Sequence, residues 1–224
     1  MSTPIFDRRC SRPLTGLALT VLALALLAAC ATRIPAEDRA SLRVAGASIT
    51  VVAPDGFCVD PQSVDVTRAG GRVLFGDCGV LNGEATGAPP ISAVLTASVS
   101  AAPLPGDLSA LGDFLTGPGR VTVGRGSPPE AITILDREEE EEVLFLKVED
   151  AGTAPIPGTE PTFWRAFFET GDRLIFGTVT TFSNAPLSDT DQRDLLRALA
   201  ARTREANPPE PNEIAPPAEI PPPA

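Results

Sequence analysis

The chain has 224 residues, a formal net charge of −11, and neither histidine nor tyrosine. The missing histidine excludes Ser-His-Asp and Cys-His catalysis, His-ligated zinc and haem, and the usual general base near neutral pH. The acidic balance also disfavours nucleic acid as a partner, because the phosphate backbone attracts basic surfaces.

The first thirty residues have the three parts of an export signal that ends in a lipidated cysteine. Three arginines between residues 8 and 12 form a positive head, and the apolar run Leu14–Leu26 is too short for a comfortable membrane span. The next four residues, Leu27 to Cys30, read Leu-Ala-Ala-Cys and resemble the bacterial lipobox at every position. The resemblance implies that residues 1–29 are a cleaved signal peptide and that acylated Cys30 anchors the chain in a lipid bilayer. The alternatives are an ordinary secretory signal and an uncleaved membrane helix.

The residues after Cys30 indicate which membrane holds the protein and how far the domain lies from it. Ala31 stands where an aspartate would resemble the inner-membrane retention signal of many Gram-negative bacteria. The resemblance therefore favours the periplasmic face of the outer membrane over the inner membrane. Residues 30–41 are predicted to form a lipidated tether, and at about 3.3 Å per extended residue it spans at most about 35 Å. The domain should therefore stay close to the lipid surface.

The four cysteines are expected to have different fates. Cys10 is lost with the positive head and Cys30 is acylated, which leaves Cys58 and Cys78 in an oxidising compartment. This predicts a disulfide between Cys58 and Cys78. A redox or metal-binding pair is the alternative, but the gap of nineteen residues is unlike Cys-x-x-Cys. No metal or other cofactor is predicted.

In the first half of the domain, β-branched and apolar runs predict three strands, and a change of period predicts a helix. The strands are Ser48–Ala53, Arg72–Cys78 and Ile91–Ser100. Asp107 can cap a short helix that buries Leu108, Leu111 and Leu115. Residues 120–129 are rich in glycine and proline, and the Gly-Arg-Gly sequence at 124–126 is better explained by turn chemistry than by a phosphate-binding loop.

The second half is predicted to contain two hairpins, Glu130–Leu135 with Glu142–Val148, and Thr162–Phe168 with Arg173–Phe182. The acidic run between the first two strands is predicted to be a solvated hairpin tip. A calcium loop is the alternative, but successive glutamates point alternately apart. Aromatic residues on both faces of Thr162–Phe168 predict a strand buried on two sides, with Trp164 in the core rather than serving as a ligand platform.

The best helix signal begins at Ser188, which can cap the amide of Asp191, and ends at Asn207 and Pro208. Residues 208–224 contain eight prolines and three glutamates, which predicts a disordered, polyproline-like tail. The whole pattern predicts an α+β domain over residues 42–207. An antiparallel sheet of about six to seven strands is covered by one short and one long helix.

A second resemblance covers about half of the mature chain. The segment Ile49–Phe57, the paired strands around Trp164 and Ile175, and the helix from Ser188 resemble the arrangement in PsbP-like extrinsic proteins and related bacterial lipoproteins. The chain is also similar to uncharacterised alphaproteobacterial lipoproteins. The resemblance implies a binding or adaptor role, and it assigns no functional residue.

The combined expectation is a membrane-anchored envelope lipoprotein that binds or scaffolds other envelope proteins and is not catalytic. One alternative is a hydrolase of envelope polymers, which would need a carboxylate pair with shifted pKa in a cleft. No catalytic residue can be chosen for it from the sequence. Another alternative is a carrier of an apolar ligand, which would need a deep cavity between the sheet and a helix.

Overall fold

A computed structural model describes residues 35–84 and 93–209, and the chain divides into two units, Met1–Pro35 and Ala36–Ala224. The predicted signal peptide, Cys30, most of the tether, the tail from residue 210, and residues 91 and 92 of a predicted strand lie outside the described residues. The strands are β1 Arg39–Val44, β2 Ala47–Val52, β3 Phe57–Val59, β4 Asp65–Thr67, β5 Gly70–Asp77, β6 Ala93–Ser100, β7 Ile132–Glu140, β8 Val143–Asp150, β9 Thr162–Thr170 and β10 Arg173–Thr181. The α-helices are α1 Cys78–Asn82, α2 Leu108–Thr116 and α3 Asp189–Ala206, and short 3-10 helices lie at Arg120–Val123 and Pro129–Ala131.

An eight-stranded antiparallel sheet forms the centre of the domain. The strand order is β3-β5-β6-β10-β9-β8-β7, and β4 pairs with β5 beside β3. The strands β1 and β2 form a separate hairpin. The predicted α+β class, with an antiparallel sheet, one short helix and one long helix, is confirmed. The main sheet has eight strands where about six to seven were predicted, and the β1–β2 hairpin is additional.

The sheet is buried on both faces around β9, as its aromatic pattern predicts. Trp164 and Phe168 lie in one hydrophobic core, which α3 and the β1–β2 hairpin complete. Phe163 and Phe167 point to the opposite face, where they pack in a second core against α2. Successive side chains of a strand point to opposite faces, so a central strand needs apolar residues at almost every position.

Helix α3 packs closely on the sheet because of how it begins and what it meets. The hydroxyl of Ser188 accepts a hydrogen bond from the amide of Asp191 at 3.1 Å, as predicted for the helix cap. Leu196 and Leu199 are fully buried against Gly177 of β10, where an added Cβ would lie 2.5 Å from a methyl carbon of Leu199 and 3.1 Å from one of Leu196. The absence of a side chain at Gly177 therefore sets how near the helix comes to the sheet.

The first strand of the domain begins inside the predicted tether of residues 30–41. Strand β1 begins at Arg39 and pairs with β2 along its whole length. Leu42 and Val44 are fully buried, and exposed residues alternate with them. The alternating charges up to Arg39 predict a tether, although the period-two alternation that follows them is typical of a strand.

The acidic run is only in part a solvated tip. It continues β7 to Glu140, and Glu138 and Glu140 bind Arg193 and Arg197 of α3 at 2.5 and 2.7 Å. The residues at the tip itself, Glu141 and Glu142, are exposed. The prediction missed that one side of the run holds the long helix, because the partners lie more than fifty residues apart in the chain.

The arginines on this side of α3 also lie over aromatic rings of the sheet. The guanidinium carbons of Arg193 and Arg197 are 5.1 and 5.7 Å from the ring centroids of Trp164 and Phe145. Such contacts are attractive because a cation meets the negative face of a ring. The helix is therefore held to the sheet by its leucines at the centre and by arginines at its margin.

The turn between β7 and β8 has an unfavourable backbone. Glu141 and Glu142 have φ values of 49° and 61°, in the left-handed region that favours glycine. Arg204 donates hydrogen bonds to the carbonyl oxygens of both residues, at 3.1 and 2.8 Å. The end of α3 thus supports a turn that costs about 1–2 kcal/mol for each residue other than glycine.

Replacing Glu142 by glycine is expected to raise the free energy of unfolding by about 0.5–1 kcal/mol, because glycine adopts positive φ without a Cβ clash. Urea denaturation followed by circular dichroism measures the change. Glu139→Gly is the matched control, since Glu139 is an exposed residue of the same run inside β7. This control should lower stability, because glycine weakens a strand interior. A Glu142→Gly variant less stable than the parent would contradict the turn geometry.

Candidate functional site

The predicted site residues fall partly inside the described chain. Cys30 lies outside it. Cys58 in β3 and Cys78 at the start of α1 are joined in the structure, with their sulfur atoms 2.01 Å apart. Cys58 is buried, so the bond ties the short strand β3 to the helix that follows β5.

The last residues of the predicted tether contact the elements that this disulfide joins. The amide of Ala36 donates to the side-chain oxygen of Asn82 at 2.8 Å, and Asn82 ends the helix that Cys78 begins. The carbonyl oxygen of Glu37 accepts a hydrogen bond from the amide of Val59 in β3 at 2.7 Å. The chain therefore joins the domain at the disulfide, and only five residues separate Ala36 from Cys30 in the sequence.

Strand pairing shows which other residues share this end of the sheet, here named the disulfide end. Its members are Phe57 of β3, Asp77 of β5, Ala93 of β6, Thr181 of β10, Thr162 of β9 and Asp150 of β8. The opposite end, here named the turn end, carries the tight turns that join β7 to β8 and β9 to β10. The chain thus reaches the sheet at the end away from these turns.

A polar cluster at the disulfide end was missed by sequence reasoning. Asp150, which is 1% exposed, accepts hydrogen bonds from the amides of Arg125 at 2.7 Å and Gly152 at 3.0 Å. Arg165 of β9 donates to the carbonyl oxygens of Thr122 and Gly124 at 3.3 and 3.2 Å. These contacts hold the loop after α2 against the sheet. The sequence signal was the glycine on each side of Arg125, and Gly126 has a φ of +99°, consistent with turn chemistry.

Carboxylates with a displaced pKa offer a test of the hydrolase alternative. Burial favours the neutral form of Asp150, but hydrogen bonds from Ser127 and from the amides of Arg125 and Gly152 outweigh it and leave the pKa below the ordinary value. Lys147 lowers the pKa of Asp189, and the indole N–H of Trp164 adds to this effect at 3.1 Å. Both groups are therefore carboxylates at neutral pH, whereas a general acid needs a raised pKa.

A groove of about 1000 Å³ lies at the turn end, between the hairpin turns and the end of α3. Its charged lining residues are Glu142, Glu169, Asp172 and Arg204. Such a lining suits water and ions better than an apolar ligand. The space between the sheet and the middle of α3 is filled by Leu196, Leu199 and Trp164, so the cavity expected of an apolar-ligand carrier is not found between them.

Residues 35–84 and 93–209 lack two features that would point to a particular function. No three side chains of histidine, cysteine, aspartate or glutamate in these ranges come close enough together to hold a metal ion. No helix in the same ranges combines the length and the apolar character needed to cross a bilayer.

Comparisons with known proteins give little. No protein-family profile matches the chain, and no curated protein is significantly similar in sequence. Two solved structures are similar at a TM-score of 0.37: the Ran-binding protein Mog1p of Saccharomyces cerevisiae and a point mutant of Mog1. They are 11% and 12% identical, and the alignments cover 76% and 75% of this chain and 88% of each of theirs. A likeness this distant carries no argument about function.

Proposed function

We propose that this protein is a lipid-anchored binding module of the bacterial cell envelope, held at a membrane by acylated Cys30. The observation that carries the proposal is the positive head, the apolar run and the Leu-Ala-Ala-Cys quartet, which occur together at the spacing of a lipobox. Ala31 favours the periplasmic face of the outer membrane over the inner membrane. The role is binding or scaffolding of other envelope proteins, without catalysis.

Two features of the domain support a module that works beside a membrane. The chain joins the domain at the disulfide end, where Ala36 is bound. Only five residues separate Ala36 from Cys30, so the spacer is short. A disulfide between Cys58 and Cys78 suits an oxidising compartment. The pKa values of Asp150 and Asp189 lie below the ordinary value, which does not fit the general acid that the hydrolase alternative needs.

Acylation is tested by expressing the full chain in a Gram-negative bacterium with radiolabelled palmitate. The Cys30→Ser variant is expected to lose the label completely and to lose signal-peptide cleavage at residue 29. Cys10→Ser is the matched control, because it removes the other cysteine of the N-terminal segment. It should keep the label. Retention of the label by Cys30→Ser, or its loss in Cys10→Ser, would contradict the assignment of the lipidated residue.

The binding role is tested by crosslinking in the native envelope, followed by affinity capture of the full chain. Specific envelope proteins should be captured with the lipidated chain and should be lost with Cys30→Ser. A version that ends at Pro209 then shows whether the proline-rich tail makes the contact. Capture that does not depend on Cys30, or capture of no specific protein, would count against an anchored scaffold.

A further inference from the structure

Most of the buried or half-buried arginines in the described domain are paired with carboxylates. Five arginines form such ion pairs: Arg137, Arg173, Arg193, Arg197 and Arg202. Half-buried Arg204 has no ion pair with a described carboxylate, but it donates to the carbonyl oxygens of three glutamates. Arg125 and Arg165 are half-buried and also lack an ion pair, since no carboxylate oxygen of the described residues lies within 4 Å of either guanidinium group. Unlike Arg204, both keep buried nitrogens that have no hydrogen-bond partner among the described residues. In an acidic protein with 29 aspartates and glutamates, two cations without a paired anion require an explanation.

The two guanidinium groups share one aromatic ring at the disulfide end. Their central carbons lie 4.7 Å (Arg125) and 5.5 Å (Arg165) from the ring centroid of Phe163, which is fully buried. The ring attracts the flat face of each cation. This contact with the ring leaves N–H donors at the edges of the guanidinium groups unused. Nε and Nη1 of Arg125 and Nε of Arg165 are buried and have no hydrogen-bond partner among the described residues.

The local charges do not balance. Asp150 is the acidic group that acts on both cations, and its oxygens are taken by backbone amides rather than by a guanidinium group. Burial lowers the pKa of Arg165 to about 10, and the cation of Arg125 contributes to the decrease. Burial likewise lowers the pKa of Arg125. Two cations and one anion leave one positive charge in a partly desolvated place, which is costly unless an anion binds there.

We propose that Arg125 and Arg165 form a binding site for a phosphate group. Arg165 is fixed by its bonds to Thr122 and Gly124, and it supplies charge. The guanidinium group of Arg125 has no such fixed partner within residues 35–84 and 93–209, so its N–H edge can turn toward a phosphate while Phe163 supports its face. Guanidinium groups bind phosphate oxygens through paired, charge-assisted hydrogen bonds. A net charge of one suits a phosphodiester, which carries one negative charge.

The source of the phosphate is either free in solution or the headgroup of an anionic phospholipid. The lipid source rests on the proposed anchoring, because the site lies at the disulfide end, where the chain continues toward Cys30. The phosphate site itself does not rest on the anchor, since it follows from the arrangement of Arg125, Arg165 and Phe163.

The experiment titrates inorganic phosphate into the ¹⁵N-labelled full chain in nonionic detergent, against chloride at equal ionic strength. The amides of Arg125, Gly126 and Gly152 should shift. Arg125→Gln should weaken phosphate binding by about tenfold or more, as expected when a charge-assisted hydrogen bond is lost. Arg120→Gln is the matched control, since Arg120 is an exposed arginine of the same loop and the change in net charge is equal. It should change affinity less than about twofold.

A second arm places the lipidated chain in nanodiscs without added phosphate. Shifts of the same amides in phosphatidylglycerol discs, and not in phosphatidylcholine discs, identify the headgroup as the source. Shifts with free phosphate alone identify a soluble source, and either result supports the site.

No shift in either arm, shifts spread over the domain, or equal losses of phosphate affinity in Arg125→Gln and Arg120→Gln would overturn the proposed site. The parent chain's shift map remains decisive if Arg125→Gln does not fold. Repeating the phosphate titration with Cys30→Ser separates the two proposals, because this variant should keep the phosphate site even where anchoring fails.

Discussion

Truncation of Trp164 to alanine is expected to lower the free energy of unfolding by about 3–5 kcal/mol, the range for a large buried side chain. Trp164 is 2% exposed and lies between the sheet and α3. Its indole N–H donates to Asp189 at the start of the helix, and its ring lies under the guanidinium group of Arg193. The change would open a cavity and remove both contacts, so the docking of α3 should weaken.

Guanidinium chloride denaturation, followed by far-UV circular dichroism, measures this effect. Trp164→Phe keeps an aromatic ring but loses the hydrogen bond to Asp189. It should therefore lower the free energy of unfolding by only about 1–2 kcal/mol, less than the alanine variant does. Phe114→Ala is the matched control for removing an aromatic ring, because Phe114 is 48% exposed. If Trp164→Ala were no more destabilising than Phe114→Ala, the ring would not be a core residue, and the ligand-platform alternative would stand.

Local patterns were sufficient for the parts of the fold where one stretch of chain carries its own signal. The aromatic residues on both faces of β9 predicted a central strand, and Trp164 is buried as expected. The capping residue Ser188 and the helix-ending Asn207 predicted both ends of α3 to within one residue. In both cases the pattern is long, and the physical cause, burial on a face or hydrogen bonding at a helix end, lies within the segment itself.

The parts that were missed depend on residues far apart in the chain. Strands β3 and β4 have three residues each, too few for a periodic pattern, and they exist because β5 pairs with both. The burial of Asp150 depends on amides that a distant loop brings to it, including that of Arg125. No spacing in the sequence reveals such a contact, and the same is true of the phosphate site proposed around Phe163.

Replacing Asp150 by asparagine is expected to lower the free energy of unfolding by about 2–4 kcal/mol. The carboxylate accepts the amides of Arg125 and Gly152 and the hydroxyl of Ser127. An asparagine side chain would turn an NH₂ group toward one of these donors, and the negative charge beside the two unpaired arginines would be lost. Asp189→Asn is the control, since Asp189 also binds donors but is about half exposed, and it should cost much less.

The pH dependence gives this variant a second readout. Because the pKa of Asp150 in the folded protein lies below the ordinary value of about 3.9, folding is favoured by its ionised form. This contribution is complete above about pH 4 and is lost as the pH falls through the folded-state pKa. The difference in stability between the parent and Asp150→Asn should therefore be constant from pH 7 to about pH 5 and shrink in stronger acid. A difference that grew on acidification would mean that burial, which favours the neutral acid, outweighs the hydrogen bonds to its oxygens.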